Sequence, residues 1–520
     1  MEMYDVLIIG SGIAGLSTAI SAAEEGLSVC ILSKASELKE SNTFYAQGGI
    51  VVEGENDSPE LLEEDILAAG NRINRRKAVS LLSEEGPKVV KEFLIDKIKV
   101  PFYRDEKGIL DKTREAAHSV RRILHVKDET GKAIEESLLD YAHNMQKIDF
   151  VNLHTAVDII TNSHNSRDPQ EMYKEARALG VYALDQKTGE VKKMFAPAVV
   201  LATGGVGNLF LHTSNPRGAM GDGIAMAYRT GAEIVNAEYV QFHPTILFHR
   251  DIKRFLITES LRGEGARLIN RQGDYFMKKY NPELQDLAPR DEVARAIYHE
   301  MELDGSEYVF LDTRRIKAVS LEDRFPGIYS KCKSVGIDIT KDPIPVVPAA
   351  HYFCGGVKVN LVSKTSIKGL YAVGETACTG VHGANRLASV SLLEGLFFGV
   401  RLGHHLKYHV KQLSKSLLST IPDWIYPTNE EEFDPVLIYH DLLNIQMTMW
   451  NYVGIIRTKK RLSRAQSDLN YMSHRIEQFY KTARLTREII ELRNAVLTSA
   501  LIAKAAIANP VSIGCHYLRG

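Results

Sequence analysis

The stretch Tyr4–Lys34, YDVLIIGSGIAGLSTAISAAEEGLSVCILSK, decides the fold class of this chain. An apolar run, a glycine-rich turn, an alanine-rich segment and a second apolar run together predict a strand–helix–strand unit. Gly10, Gly12 and Gly15 form a G-x-G-x-x-G pattern directly after the first predicted strand. Glycines there let the backbone approach a pyrophosphate at the helix N-terminus. We therefore predict a dinucleotide site; the alternative is a glycine-rich turn without a ligand.

Two later segments carry the same kind of strand. APAVVLATGG (Ala196–Gly205) and GLYAVGE (Gly369–Glu375) are apolar runs that end in glycine, as buried parallel strands with functional loops do. Between about 242 and 350 the sequence alternates helical and short strand patterns, which indicates an inserted domain. Beyond about Gly403, apolar residues recur at helical spacing and predict a helical domain.

The composition excludes several classes of protein. A chain of 520 residues is too long for one core and predicts more than one domain. Its net charge of -1 provides no global field for nucleic acid or an anionic membrane. Its five cysteines form no C-x-x-C pair, so we expect no metal site and no disulfide scaffold. The N-terminus lacks a basic leader region, and no apolar run is long enough to span a membrane, so we expect a soluble cytoplasmic protein.

The type of dinucleotide follows from two further observations. Ser33 and Lys34 end the second predicted strand, where an acid usually meets a nicotinamide cofactor's ribose. The loop SNTFYAQGGI (Ser41–Ile50) carries paired glycines and an amide side chain that suit close approach to a flat ring. Both observations favour a flavin over a nicotinamide.

These segments belong to an ordered set of motifs. With LATGGVG, GDG, QFHPT, TESLRGEGARL, APRDEVARAI, HYFCGGV and VGETACTGVHGANRLASVSLLEGL, the chain resembles the succinate dehydrogenase and fumarate reductase flavoprotein family over about its first 400 residues. The resemblance implies an α/β fold in which a Rossmann-like FAD-binding domain is interrupted by an α+β capping domain and followed by a C-terminal helical domain. The implied boundaries are 1–241 with 351–405 for the FAD domain, 242–350 for the cap and 406–520 for the helices.

The resemblance also implies how FAD is held. Asn42 stands where membrane-bound members of the family carry a histidine bonded to FAD, so we expect noncovalent FAD. Glu375 resembles the ribose-binding acid, and Ser391 and Leu392 open a helix whose N-terminus would face the pyrimidine end of the flavin. The implied FAD contacts are Gly10, Ser11, Gly12, Ile13, Ala14, Gly15, Lys34, Asn42, Thr43, Phe44, Tyr45, Ala46, Gln47, Gly48, Gly49, Asp222, Glu375, Ser391 and Leu392.

A second group of residues matches the family's substrate site. Arg386 precedes the predicted helix, where a guanidinium can grip a carboxylate with two hydrogen bonds. Taken alone, a histidine is more often structural, and Arg290 beside Asp291 would be an ordinary surface pair. The implied catalytic residues are Arg290, Glu115, His243, His351 and Arg386. The implied substrate-binding residues are Glu115, His243, Thr258, Glu259, His351, Arg386 and Ser389.

The branch of the family is indicated by Thr113–Ile134, TREAAHSVRRILHVKDETGKAI, which resembles the motif of the L-aspartate oxidases. Ala116 and Ala117 replace two glycines of that motif. We predict that Glu115 meets the ammonium group of an amino-acid substrate, which succinate lacks. The alternative is a simple ion pair between Glu115 and a neighbouring arginine. Those neighbours are Arg114, Arg121 and Arg122.

The resemblance then implies a reaction. L-aspartate would be oxidised to iminoaspartate, and the reduced flavin would be re-oxidised by O2, giving hydrogen peroxide, or by fumarate, giving succinate. This oxidation would be the first step of de novo NAD biosynthesis, and iminoaspartate would then pass to quinolinate synthase. The alternatives are a soluble fumarate reductase or succinate dehydrogenase flavoprotein subunit, and a non-catalytic flavin-binding interaction protein.

Overall fold

A computed structural model of the chain describes residues 3–115, 117–316, 320–428 and 434–520. Ala116, one of the two alanines in the Thr113–Arg122 stretch, lies outside the described residues. The strands are β1 (Val6–Ile9), β2 (Val29–Leu32), β3 (Ile50–Val51), β4 (Lys112–Thr113), β5 (Ile123–Leu124), β6 (Ile148–Val151), β7 (His154–Thr161), β8 (Ala178–Asp185), β9 (Val191–Phe195), β10 (Ala198–Leu201), β11 (Ile234–Val235), β12 (Val240–Leu247), β13 (Arg267–Ile269), β14 (Val309–Asp312), β15 (Ile344–Phe353), β16 (Gly356–Lys358), β17 (Leu370–Ala372) and β18 (Ala377–Cys378).

The helices follow the same chain order. They are α1 (Ile13–Glu24), α2 (Pro59–Ala69), α3 (Arg76–Val89), α4 (Thr130–His143), α5 (Asn162–Asn165), α6 (Asp222–Arg229), α7 (Ser260–Gly263), α8 (Met277–Tyr280), α9 (Arg290–Asp304), α10 (Leu321–Arg324), α11 (Pro326–Lys333), α12 (Val390–Leu406), α13 (Lys415–Ser419), α14 (Pro435–Val453), α15 (Lys459–Thr482) and α16 (Arg487–Ala508). A π-helical segment, Val90–Lys97, continues α3.

The predicted parallel strands form one sheet in the order β17-β10-β1-β2-β6, with every neighbouring pair parallel. β1, β2 and β10 are buried along their whole length, which explains their uninterrupted apolar sequences. Helix α1 crosses from β1 to β2, so the predicted strand–helix–strand unit is present. The sheet confirms the expected α/β class, and its carboxyl edge is where ligands bind in such folds.

Helix α1 packs closely against α12, which begins nearly 380 residues later in the chain. Gly395, Gly399 and Gly403 lie along the contact on α12, one turn apart. A Cβ on Gly399 would lie 2.1 Å from Oγ of Ser17 and 2.8 Å from the carbonyl oxygen of Ala14, so only glycine fits. This approach brings the N-termini of both helices to the same edge of the sheet.

The inserted segment forms an antiparallel sheet in the order β12-β15-β14-β13. β12 begins at Val240 and β15 ends at Phe353, so the sheet extends two or three residues beyond the segment predicted as 242–350. Helix α9 packs on β12 and carries Arg290 at its first position. The cap therefore presents its strands and the start of one helix to the FAD domain.

The C-terminal helices α14, α15 and α16 pack on one another as the helical spacing predicts. They share one hydrophobic core with the cap, because Trp450 of α14 lies with its ring centre 6.0 Å from that of Phe242 in β12. α16 also contacts α6 of the FAD domain. Within the described parts of the chain, no helix combines the length and the apolar content that crossing a membrane requires.

Candidate functional site

A deep cavity runs along the carboxyl edge of the parallel sheet and under the cap, enclosing about 1870 Å³ of empty space including its mouth. Most of the residues predicted as FAD contacts line it, and so do seven of the predicted substrate or catalytic residues. The FAD-contact set is Gly10, Ser11, Gly12, Ile13, Ala14, Lys34, Asn42, Thr43, Tyr45, Ala46, Gln47, Gly48, Gly49, Asp222, Glu375, Ser391 and Leu392, and the substrate set is Glu115, His243, Thr258, Arg290, His351, Arg386 and Ser389. Gly15, Phe44 and Glu259 do not line it.

The glycine turn is shaped by close backbone contacts. A Cβ on Gly10, which has a φ of +113°, would lie 2.2 Å from the carbonyl oxygen of Ala202. A Cβ on Gly15 would lie 2.2 Å from the carbonyl oxygen of Gly10, so Gly15 keeps the turn tight without facing the cavity. The amide of Ile13, the first residue of α1, donates to Oγ1 of Thr43 at 3.1 Å and fixes the 41–50 loop to this helix end. Phe44 packs edge-on against Tyr45.

Glu375 follows β17 and links two predicted flavin-site elements. Its Oε1 accepts from the amide of Phe353 at 2.9 Å, and its Oε2 accepts from Nδ2 of Asn42 at 2.5 Å. Burial raises the pKa of Glu375 to about 7. Asn42 carries no nucleophilic nitrogen, and its amide is occupied by Glu375, in keeping with the noncovalent cofactor expected from the sequence.

Two histidines from neighbouring cap strands face each other, with ring centres 5.2 Å apart. Burial, and next the charge of Arg290, hold the pKa of His243 well below its ordinary value. Burial, and next Arg386, do the same for the pKa of His351. Both rings are therefore neutral at pH 7.

Their hydrogen bonds determine which nitrogen is available to a ligand. Nδ1 of His243 lies 3.1 Å from the carbonyl oxygen of Thr245 and 3.2 Å from its amide nitrogen. Thr245 therefore holds the ring through Nδ1, and Nε2 is the nitrogen left to face a ligand. Nδ1 of His351 lies 2.7 Å from Oγ of Ser214, which holds that ring in place.

Arg290 lies at the start of α9 and is held by an acid behind it. Its Nε donates to Oε2 of Glu259 at 2.6 Å, and Arg262 lies 3.8 Å from the same oxygen. Burial alone would raise the pKa of Glu259, but Arg290 and Arg262 keep it below its ordinary value. Nη1 of Arg290 is buried and has no partner among the described residues. Glu259 thus positions the guanidinium from outside the cavity.

Arg386 and Glu115 approach the cavity beside the N-terminus of α12. Nε of Arg386 donates to Oε1 of Gln241 and its Nη1 donates to Oγ of Ser391, both at 3.2 Å. Oγ of Ser389 donates to Oε2 of Glu115 at 2.6 Å and accepts from the amide of Gly49 at 3.2 Å. One acid and one guanidinium are thus fixed on either side of the helix end.

The three neighbouring arginines bond to other groups, and among the described residues none of them forms an ion pair with Glu115. Arg122 pairs with Asp57 and Asp65, each at 3.1 Å, on the far side of the loop. Nε of Arg114 donates to the carbonyl of His118, and Nε of Arg121 donates to that of Lys112. Ala117 has a φ of 64°, a conformation that glycine adopts more readily, which accounts for the glycine usual there in the resembling motif.

Several cavity residues carried no recognisable sequence signal. Ser214 holds His351, and Tyr352 stacks beneath Arg386 with its ring centre 4.8 Å from the guanidinium carbon. The hydroxyl of Tyr352 donates to Glu394, which is itself paired with His382 at 2.8 Å. Tyr352 lies inside the quoted HYFCGGV motif, but the spacing alone does not distinguish it from a core aromatic residue.

The C-terminal tail, residues 514–520, contacts residues that neighbour Arg290 and Arg386 in the chain. Its Gly514 carbonyl accepts from Arg295 of α9 at 3.3 Å, and Sγ of Cys515 contacts Oδ1 of Asn385 at 3.3 Å. Nδ2 of Asn385 in turn donates to Asp291 at 3.3 Å. Asp291 and Arg295 follow Arg290 in α9, and Asn385 directly precedes Arg386. The tail therefore links the cap to the FAD domain beside the cavity.

Comparison with known proteins places this arrangement in a family. Residues 5–392 match the family described as FAD binding domain, and 443–519 match the fumarate reductase flavoprotein C-terminal family. The chain is 44% identical to an L-aspartate oxidase of Acinetobacter baylyi over 99% of its own length and 93% of that protein. Identity to the L-aspartate oxidase of Pseudomonas aeruginosa is 42%, over 99% and 95%. The chain belongs to the L-aspartate oxidase family. It is an FAD-dependent oxidoreductase.

Solved structures agree with this family membership. The fold matches an E. coli quinol fumarate reductase chain with a TM-score of 0.88 at 27% identity, covering 100% of this chain and 92% of that one. It matches Mycobacterium smegmatis Sdh1 with a TM-score of 0.81 at 30% identity, covering 100% and 89%.

The residues present fit FAD. Gly10 and Gly12 leave the N-terminus of α1 open to a pyrophosphate, as that chemistry requires. Oε1 of Gln47, in the 41–50 loop, is buried and has no partner among the described residues, as expected of a group that contacts a bound ligand. The start of α12 adds a second positive helix end on the substrate side.

The raised pKa of Glu375 predicts a pH-dependent stability of the cofactor-free protein. The pKa of Glu375 is about 7 in the folded protein and 4.5 for an ordinary glutamate. Between pH 4.5 and 7, Glu375 is therefore protonated in the folded protein and ionised in the unfolded chain. Stability is therefore full below pH 4.5 and falls by up to about 3 kcal/mol as the pH rises through 7. Glu375→Gln removes that loss. Urea unfolding from pH 5 to 8 checks this, and parallel curves for parent and variant would contradict it.

The tail contacts predict a second effect. Deleting residues 514–520 removes the contacts that Gly514 and Cys515 make with Arg295 and Asn385. We expect succinate, used as a dicarboxylate probe, to bind at least about tenfold more weakly, because Arg290 and Arg386 would no longer be held in position. FAD should remain bound, since its predicted contacts lie elsewhere. Perturbation of the flavin absorbance by succinate measures the affinity. Arg519→Gln, which removes only an exposed pair with Glu302, is the control and should stay near the parent value.

Proposed function

We propose that this chain oxidises L-aspartate to iminoaspartate, using noncovalently bound FAD. The observation that carries the proposal is Glu115, whose carboxylate lines the same cavity as Arg290 and Arg386. A carboxylate facing a dicarboxylate would only repel it, whereas the α-ammonium of aspartate compensates that charge. The identity to proteins named L-aspartate oxidase supports the same substrate.

The two carboxylates of the substrate meet a guanidinium and a histidine ring. Arg386 offers its planar guanidinium, and His243, held through Nδ1 by Thr245, presents Nε2, which donates in the tautomer that carries the hydrogen there. His351, oriented by Ser214, and Thr258 line the same part of the cavity. Neutral histidines suit this task because they donate without adding charge that would hold the ammonium away.

Glu115 orients the ammonium, and its bond to Ser389 fixes its direction. Oxidation removes a proton from the amine and a hydride from Cα, and bound FAD supplies the two-electron acceptor. Arg290 acts electrostatically on the carboxylates, because a guanidinium is a poor base and Nε of Arg290 is already engaged by Glu259 at 2.6 Å.

The remaining features of the proposal concern partners and organisation. The reduced flavin is re-oxidised by O2 or by fumarate, and iminoaspartate passes to quinolinate synthase. The domains divide at 1–241 with 351–405, 242–350 and 406–520. The competing activities, a fumarate reductase or succinate dehydrogenase subunit and a non-catalytic flavin protein, lack a use for Glu115 beside the substrate arginines.

The deciding assay uses the purified holoprotein. We expect hydrogen peroxide to form with L-aspartate under air and succinate to form when fumarate replaces O2. Peroxide without aspartate consumption, or fumarate reduction by an added reductant without aspartate turnover, would overturn the proposal.

The role of Glu115 is tested by Glu115→Gln, which keeps the shape but removes the charge that meets the ammonium. We expect kcat/KM for L-aspartate to fall by one to several powers of ten, while reduction of fumarate, which carries no ammonium, survives. Glu106→Gln, an exposed substitution in the same part of the chain, is the matched control and should change neither rate. Equal loss of both activities in Glu115→Gln would contradict the proposal that Glu115 binds the ammonium group of the substrate.

A further inference from the structure

Lys34 lies directly beyond β2, at the point where this fold meets the ribose of a dinucleotide's adenosine half. Its ammonium is fully engaged by protein atoms. Nζ contacts Asp222 at 2.5 Å, Glu491 at 2.6 Å and the carbonyl of Gly218 at 2.9 Å. An ammonium has three hydrogens, so Lys34 has no donor left for the cofactor.

Glu491 belongs to α16, in the C-terminal helical domain, and a second residue of that helix reaches the same place. Arg487 donates from Nε to Glu491 at 3.0 Å and from Nη1 to the carbonyl of Lys34 at 3.2 Å. Arg487 lines the cavity and is one quarter exposed. Its Nη2 has no partner among the residues that the structure describes.

Other residues complete the surroundings of this guanidinium. Asn494, two turns along α16, donates to the other carboxylate oxygen of Asp222 at 2.8 Å. Ala35, Thr155 and Ala156 form the adjoining wall of the cavity and offer small surfaces suited to a flat base. Arg487 is thus a cation held by two hydrogen bonds on the wall of the cavity, and both hydrogens of its Nη2 are unpaired among the described residues.

We propose that Arg487 binds the adenosine half of FAD, and that α16 is therefore part of the cofactor site. The Lys34–Glu491 pair then acts as a positioning element: it fixes Arg487 through Glu491 and the carbonyl of Lys34. Binding of FAD and docking of α16 are coupled, because each stabilises the same charged cluster. The inference depends on FAD binding and not on the identity of the substrate.

The experiment measures ligand binding to flavin-free protein and needs no turnover. Arg487→Gln is compared with the parent chain and with Arg484→Gln, an exposed arginine three residues earlier that does not line the cavity. FAD is titrated by quenching of its fluorescence. ADP, which carries the adenosine half, and FMN, which carries the flavin half, compete with it.

We expect Arg487→Gln to weaken FAD binding about tenfold and ADP competition by the same factor, as loss of a charged hydrogen bond does. FMN competition should not change, and Arg487→Lys should recover part of the ADP affinity. Arg484→Gln should match the parent in every measurement.

Three results would overturn the proposal. They are unchanged ADP competition in Arg487→Gln, equal weakening of ADP and FMN, and absence of ADP competition in the parent chain. Thermal unfolding of each flavin-free variant shows whether the C-terminal helices remain folded. If Arg487→Gln is unfolded, Arg487→Lys decides: parent-like ADP affinity with Arg487→Lys would also count against a directed contact.

Discussion

The close packing of α1 against α12 is the constraint on which the site depends. Gly399 and Gly403 leave no room for a side chain, since a Cβ on Gly403 would lie 2.5 Å from Cβ of Ser21. Two helix N-termini, one following the glycine turn of β1 and one following Arg386, therefore open into one cavity. Each carries a positive end dipole and backbone donors. Any residue that separated the helices would move the pyrophosphate site away from the substrate arginines.

Around this frame, the acids near Arg290 and Arg386 differ in the partners that hold them. Glu259 is fully engaged with Arg290, and Glu394 is engaged with His382 and Tyr352 behind Arg386. Glu115 is held by the hydroxyl of Ser389, a neutral partner, so its negative charge is not cancelled. In the proposed function, this uncompensated charge is what distinguishes a substrate that carries an ammonium group from one that does not.

The sequence predicted the fold and most of the cavity for a physical reason. Residues 10–15, 41–50 and 373–396 are short segments in which the backbone itself builds the site, so their spacing carries the geometry. Ser214 and Arg487 reach the cavity only because strands and helices distant in the chain pack together, and no local pattern records that. The pairing of Arg122 with Asp57 and Asp65 was missed for the same reason. The ends of β12 and β15, at Val240 and Phe353, likewise depend on strand pairing and are not marked by any local pattern.

Sequence motifs alone do not reveal that the C-terminal helical domain contributes to the cavity. Its motifs resemble an ordinary packed helical domain, yet Trp450 shares the core of the cap, the tail at Gly514 holds α9, and Arg487 reaches the cofactor cavity. In the described parts of the chain, the buried residues of the cap form one cluster with those helices and no separate core of their own. A cap that moved as an independent body would have to break that cluster. The C-terminal part of the chain therefore contacts the cavity at two places, through Gly514 behind α9 and through Arg487 in the cavity wall.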